Sequence, residues 1–312
     1  MSFQKAISYS SQCDRGIKRS RSPHQSRTCV RRTRPPGKNE RAFSRMDLLT
    51  VLAVASVLSL MQIASFANVK SKGREVPCYR NLGRLTQAWQ MYAQDHQGRL
   101  VGNLDGGSAQ SLSNSNLSWV LGWLDFQGGF PFGAATNAAL FTQYSPLASY
   151  VNHDGTVTKC PADTSAISRN GKLYPRVRSI SMNAYMGQRL GPYTAGFRQF
   201  KTIEEITKPT PARAFVFIDE REESINDPWF AFDMSGSEPL NPNVYTIVDY
   251  PAMWHERGAN LSFADGHTET WRWRDPRTMP PPRPGQLFPL GVSSPNNPDV
   301  ARLQASTSSK LQ

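Results

Sequence analysis

Residues 41–67 read RAFSRMDLLTVLAVASVLSLMQIASFA. From Leu48 to Ala67 there are twenty residues without a charge. At about 1.5 Å rise per residue a helix of that length reaches about 30 Å, the hydrocarbon thickness of a bilayer. Thr50, Ser56, Ser59, Gln62 and Ser65 dilute the run. Ser and Thr are tolerated in such a helix because their hydroxyls bond back to its own carbonyls. The stretch reads as a membrane-inserted helix over 43–67. A cleaved secretory signal and a buried helix of a soluble domain are the alternatives.

The segment before it decides how the charge of the chain is read. The 312 residues carry a formal +12. Residues 1–42 hold eleven Lys/Arg against Asp14 and Glu40, a net +9, which leaves +3 for everything that follows. A leader rich in Ser, Arg and Pro buries too little apolar surface to offset its ordering entropy, so 1–42 reads as a basic disordered leader. Two roles suit it. It is the cytoplasmic flank of a membrane helix, since Lys and Arg resist translocation, or it binds nucleic acid. The first is the simpler, and the near-neutral body offers no basic nucleic-acid face, so no nucleic-acid partner is expected.

Beyond Ala67, Leu82, Leu85, Trp89 and Tyr92 recur at spacings of three and four, with Ala88 and Ala93 beside them. That is one apolar face of an amphipathic helix, stopped by Gly98, with a kink or interruption expected near Gly73 and Pro77. Residues 99–146 read as loop with a short strand near 118–126. Residues 137–151 look helical with a break at Ser145-Pro146. TVTKC (156–160), RVRSISMNAYM (176–186) and AFVFID (214–219) are strand candidates. LSFADGHTETWRW (261–273) places Asp265-Gly266 between two alternating runs, the pattern of a tight hairpin with a type I′ turn. The expected fold is α+β: a long N-terminal helix, membrane half first and amphipathic half second, packed on a small antiparallel sheet with long loops. The extracytoplasmic α+β domain then covers 68–274, and 275–312 is a Pro-rich C-terminal tail.

Cys13 and Cys29 lie in the leader, Cys78 and Cys160 in the body. Without C-x-x-C spacing they do not suggest zinc. Outside the cytoplasm Cys78 and Cys160 could pair; two separate buried thiols is the other reading. His255, Asp265 and His267, with Asp219, Glu220 or Asp227, could hold calcium or another divalent metal. The structural alternative makes Asp265 a turn cap and His255 the partner of a buried backbone group. An enzyme would have to use Asp219, Glu220, Glu222 and Glu223 with Trp229, Trp254, Trp271 and Trp273 as a sugar platform. No G-x-S-x-G, H-E-x-x-H, P-loop or dinucleotide glycine pattern accompanies them, so catalysis is not expected. Trp119 and Trp123, in a polar loop, keep a binding role open.

Two features together carry a resemblance. RAFSRMDLLTVLAV resembles the N-terminal segment of type IV prepilins and type II secretion pseudopilins, and His255, nine residues, then Asp265-Gly266 resembles the H-x9-D-G signature of prepilin-type processing-associated proteins of planctomycete- and verrucomicrobium-like bacteria. Cys78 with Asn81-Leu82, Tyr92-Ala93, Cys160-Pro161-Ala162-Asp163, Arg178 to Asn183, Phe217 to Glu220 and Phe263 to His267 extend it over roughly 41–275. The resemblance implies cleavage by a prepilin peptidase between Ala42 and Phe43, where Ala42 stands in place of the family's Gly, and N-methylation of the new terminus. It implies that Asp47 is the acid used in assembly. It also implies partners among other pilin-like subunits or the secretion machinery. The chain would be a single-pass protein of the bacterial inner membrane, N-terminus cytoplasmic. A membrane-anchored extracytoplasmic ligand-binding protein that does not polymerise is the alternative.

Overall fold

The computed structural model describes residues 44–131, 133–187 and 193–311, with only the backbone for 59–76. The leader and the proposed cleavage pair Ala42 and Phe43 lie outside the described residues. The chain divides into two units, Met1–Ser56 and Val57–Gln312.

Helix α1 runs from Arg45 to Asp95. Ser44 is its N-cap. The Ser44 N–H donates to Asp47 Oδ2 (2.9 Å) and the Asp47 N–H donates to Ser44 Oγ (3.2 Å), which is a reciprocal capping box. Thr50 and Ser56 return their hydroxyls to the carbonyls of Met46 (2.5 Å) and Leu52 (2.8 Å). The helix continues through Pro77, so the chain is not interrupted there. At the C-terminal end the Gly98 N–H donates to Ala93 O at 2.8 Å, with Gln97 at φ 57° and Gly98 at φ 79°, closing the helix where glycine was expected to.

The expected pilin-like fold, built on a long apolar N-terminal helix, is corrected here. Among the described residues no helix is long and apolar enough to cross a membrane. In the first part of α1 the apolar run whose side chains are described extends from Met46 to Leu58, only about 20 Å of helix axis. The α+β class stands.

The remaining elements are α2 (Ala139–Thr142), β1 (Ala166–Arg169), β2 (Lys172–Pro175), β3 (Ile180–Asn183), β4 (Phe215–Asp219), β5 (Trp229–Phe230), β6 (Thr246–Ile247), β7 (Gly258–Phe263), β8 (Thr268–Arg272), β9 (Val292–Ser293) and α3 (Pro298–Thr307). Five strands form the main sheet in the order β5-β3-β4-β7-β8. The sheet is mixed, not antiparallel throughout: β5 runs parallel to β3, and the other pairs are antiparallel. The expected strand at 156–160 is instead a 3-10 turn, Gly155–Thr158. The helical reading of 137–151 resolves into α2 and a 3-10 turn, Ala148–Val151, separated at the anticipated Ser145-Pro146.

Every residue of β4 is buried, as expected for a central strand covered on both faces. On one face Leu82, Leu85, Ala88, Trp89 and Ala93 of α1 pack with Ile180, Met182, Val216 and Phe217. Thr86 Oγ1 donates to Ser262 Oγ (2.6 Å) and Gln90 Nε2 to Ala264 O (3.0 Å), which fixes the helix over β7. On the other face Phe215, Ile218, Phe230, Leu261 and Trp271 pack with Val300 and Leu303 of α3. Val216 and Phe217 can share a face because the β4–β7 register shifts between Phe215 and Phe217, a bulge in the ladder. Residues 275–311 of the segment read as a tail are thus part of the fold: Asn297 caps α3 by accepting the N–H groups of Asp299 and Val300, and Asp299 in turn accepts from the N–H groups of Arg274 and Asp275.

Candidate functional site around His255

The β7–β8 hairpin places the two ends of the H-x9-D-G signature. Phe263 N–H donates to His267 O and Gly266 N–H donates to Phe263 O, both at 2.9 Å. The loop is therefore Ala264-Asp265-Gly266. Only Gly266, at φ 99°, has a positive φ. That is a type I turn followed by a glycine rather than the expected type I′ turn, which would need positive φ at both central residues. Asp265 Oδ1 accepts from the His267 N–H at 3.1 Å and lies 2.6 Å from His267 Nδ1. The His267 ring stacks on Phe263, and its Nε2 is 3.4 Å from Glu269 Oε1. The aspartate-glycine end of the signature is an exposed, self-satisfied turn.

His255 stands at the other end of β7. Glu256 and Arg257, both at positive φ (49° and 67°), reverse the chain so that His255 N–H reaches Gly258 O at 3.1 Å. The imidazole is buried, with its Nε2 3.3 Å from Cys160 Sγ and 3.4 Å from Asp219 Oδ2. Cys160 is disulfide-bonded to Cys78 of α1, which settles the pairing left open by the sequence. Asn81 Nδ2, one helical turn on, donates to the carbonyls of Thr156 and Lys159 and holds the cysteine segment against α1. Asp219 closes β4. Its Oδ2 accepts the backbone and side-chain N–H of Asn260 at 3.2 and 3.1 Å, while its Oδ1 is buried with no hydrogen-bond partner among the described residues. Burial pushes the Asp219 carboxyl above its ordinary range, and the His255 and Asn260 hydrogen bonds oppose that.

The four residues proposed for a metal are therefore not gathered. Asp219 and His255 meet at the disulfide, whereas Asp265 and His267 sit at the far end of a six-residue strand, about 20 Å away. What does gather is Cys78, Cys160 and His255, whose ligand atoms all lie within 4.8 Å of one another. Asn260 was not singled out from the sequence. Its signal was a lone amide inside the otherwise apolar and small run GANLSF.

A second buried polar cluster lies under the loops. Arg178 donates to the carbonyls of Asp227 (2.8 Å) and Gly122 (3.0 Å), and burial lowers its pKa to about 10. Asp227 accepts the N–H groups of Gly106 and Trp229, Glu220 accepts from Ser224, and Asp249 accepts from Ala231 N–H. Burial pushes Asp227 to about 6 and Glu220 to about 8, and raises Asp249 strongly, helped by the neighbouring Glu220 and Asp227 charges. Glu220 and Asp227 thus brace loops and do not join His255. Trp119 is core: it donates Nε1 to Pro228 O (3.1 Å) and meets Phe217 edge-on at 5.1 Å. Trp123 instead lines a cavity of about 200 Å³ with Tyr193, Trp229, Asp105, Asp227 and Asp249.

No protein-family model matches the chain, and no curated protein or solved structure is significantly similar to it.

Proposed function

We propose that this chain is a prepilin-type subunit of the bacterial envelope, a structural or assembly component of a type II secretion or type IV pilus-like system that works by association rather than by catalysis. The observation that carries the reading lies in the first unit of the chain. Leu48, Leu49, Val51, Leu52 and Val54 are each more than half exposed on a capped helix. A contiguous apolar surface of that kind needs a cover, and the flanks of like subunits supply one. Asp47, at the start of that helix, is the acid that would meet the neighbouring subunit's terminus once a prepilin peptidase has cut between Ala42 and Phe43.

The buried Cys78–Cys160 disulfide supports an extracytoplasmic body, since such bonds persist in oxidising compartments. The same reading puts the N-terminus on the cytoplasmic side of the inner membrane. No helix among the described residues is long and apolar enough to carry that step, so membrane fractionation tests it separately.

The test is the N-terminal sequence and intact mass of native protein, combined with crosslinking. The expected result is a chain starting at Phe43, N-methylated, that yields a ladder of crosslinked species, with the ladder lost in Leu52→Asp. An intact leader with monomer alone overturns the reading.

One observation favours the alternative of an extracytoplasmic ligand-binding protein that does not polymerise. The cavity beside Trp123 pairs aromatic faces with carboxylates at the size of a single sugar ring. Capture of a glycan by the intact chain, abolished in Trp123→Ala, would support it.

A further inference from the structure

We infer that Cys78, Cys160, His255 and Asp219 form a zinc site whenever the Cys78–Cys160 disulfide is reduced. The inference is independent of the assembly reading and concerns a site that the signature residues Asp265 and His267 do not share.

The argument begins with the donor set. Two thiolates, an imidazole nitrogen and a carboxylate oxygen are four ligands of the types zinc takes, and four is its usual number. Three of them, the two sulfurs and the imidazole nitrogen, already lie within 4.8 Å of one another; Asp219 is outside that group, touches it through His255, and would close in on the ion as the fourth ligand. In a tetrahedron with Zn–N of about 2.0 Å, Zn–S of about 2.3 Å and Zn–O of about 2.1 Å, nitrogen lies about 3.5 Å from sulfur and about 3.4 Å from oxygen. His255 Nε2 is 3.3 Å from Cys160 Sγ and 3.4 Å from Asp219 Oδ2. His255 thus directs one nitrogen at both partners, the arrangement of ligands round a shared centre rather than of a relay, which would use the two ring nitrogens in turn. The two sulfurs, once freed, need to separate only to about 3.7 Å to complete the tetrahedron.

A second observation points to a ligand. Asp219 is fully buried, yet its Oδ1 has no hydrogen-bond partner among the described residues. An unsatisfied carboxylate oxygen in the interior is costly, and a cation held by this carboxylate, at the Oδ2 facing His255 or at the orphaned Oδ1, offsets that cost. Asn260, donating twice to Asp219 Oδ2, is the outer-shell partner that orients such a ligand. The His255 side chain is buried, but the residue borders a surface cavity of about 410 Å³ together with Glu256, Thr270 and Arg272.

The chemistry balances. A phosphine takes the two-electron step: with one water it becomes the phosphine oxide, the S–S bond breaks and two thiols form. Zinc then binds the two sulfurs as thiolates and displaces their two protons to solvent. Oxidation by a disulfide-bearing partner runs the other way: the partner is reduced to its dithiol, the protein disulfide forms and the ion is released. The site therefore ties α1 to the segment around Cys160 in either redox state, by an ion before oxidation and by a covalent bond after it.

The experiment uses the full chain, reduced with a phosphine, and cobalt(II) as the spectroscopic probe. The expected result is one cobalt per chain, with thiolate-to-cobalt charge-transfer and tetrahedral ligand-field bands that zinc abolishes. The oxidised chain should give no such bands. His255→Ala and Asp219→Asn should each bind at least tenfold more weakly. Circular dichroism on the same samples guards against unfolding: zinc should raise the melting temperature of the reduced chain. Reduced protein that shows no thiolate band, variants that bind as tightly as the native chain, or a reduced chain that unfolds and is not restored by zinc would each overturn the inference.

Discussion

His255 Nε2 and Asp219 Oδ2 lie 3.4 Å apart, and both side chains are shut off from solvent. Both are buried, so their polar atoms are met by protein groups: each other, with Asn260 at the carboxylate and Cys160 at the imidazole. His255→Ala leaves the buried Asp219 carboxylate with Asn260 as its remaining partner and should cost about 3 kcal/mol in urea unfolding. Asp219→Asn in the same background should recover part of that loss, because an amide does not carry the charge that the missing imidazole faced. A double-mutant cycle reads the coupling directly.

The Cys78–Cys160 bond closes a loop with a sequence separation of 82 residues. Chain-entropy arithmetic for a loop of that length gives about 4.5 kcal/mol of stabilisation through the unfolded state. The double Cys78→Ala, Cys160→Ala chain should lose about that much, measured with a chelator present so that no ion compensates.

Gly266 sits at φ 99°, and a methyl group there would also lie 3.3 Å from Gln90 Nε2 of α1. Gly266→Ala should therefore destabilise by at least about 1 kcal/mol. For a body of this size that is a fall of about 2–4 °C in Tm. Asp265→Asn, which keeps a turn acceptor in place, should change Tm far less.

The carboxyls of Glu220 and Asp227 are raised by burial to about 8 and about 6, from ordinary values of 4.5 and 3.8. The folded chain thus binds more protons than the unfolded chain between about pH 4 and 8. Stability is greatest at the acid side of that window and falls as pH rises through it. The expected slope approaches 1.4 kcal/mol per pH unit for each proton involved. Glu220→Gln should flatten the upper part of the window, as followed by denaturant midpoints at pH 5, 6, 7 and 8.

Several parts of this molecule were determined by the sequence alone. The spacing of Leu82, Leu85 and Trp89 declared a one-sided helix, and those side chains are buried. AFVFID declared a covered strand, and β4 is buried throughout. The alternation on either side of Asp265-Gly266 declared a hairpin, because period-two patterning and a turn residue are local properties of the chain. Local patterning could not supply the turn type, set by whether Asp265 or only Gly266 takes a positive φ, nor the parallel pairing of β5 with β3. It also misjudged what surrounds a segment. The Pro-rich residues from Asp275 onward read as a tail that crosses the surface or dangles, yet Val300 and Leu303 pack on the sheet. The apolar run after Asp47 suggested a spanning helix, which the described residues do not provide.

The candidate site shows the same division. His255, Asp219, Cys78 and Cys160 were each visible as residues of interest, separated by 177 positions between Cys78 and His255. Which of them meet was decided only when α1 packed over the sheet and β4 paired with β7. That brought Asp219 beside Asn260 and turned His255 toward the cysteines while leaving Asp265 and His267 at the other end of the strand. Side-chain type and local periodicity are written in the chain one residue at a time. Proximity across 177 residues comes from burying two apolar faces against one sheet, and only the tertiary structure fixes that register.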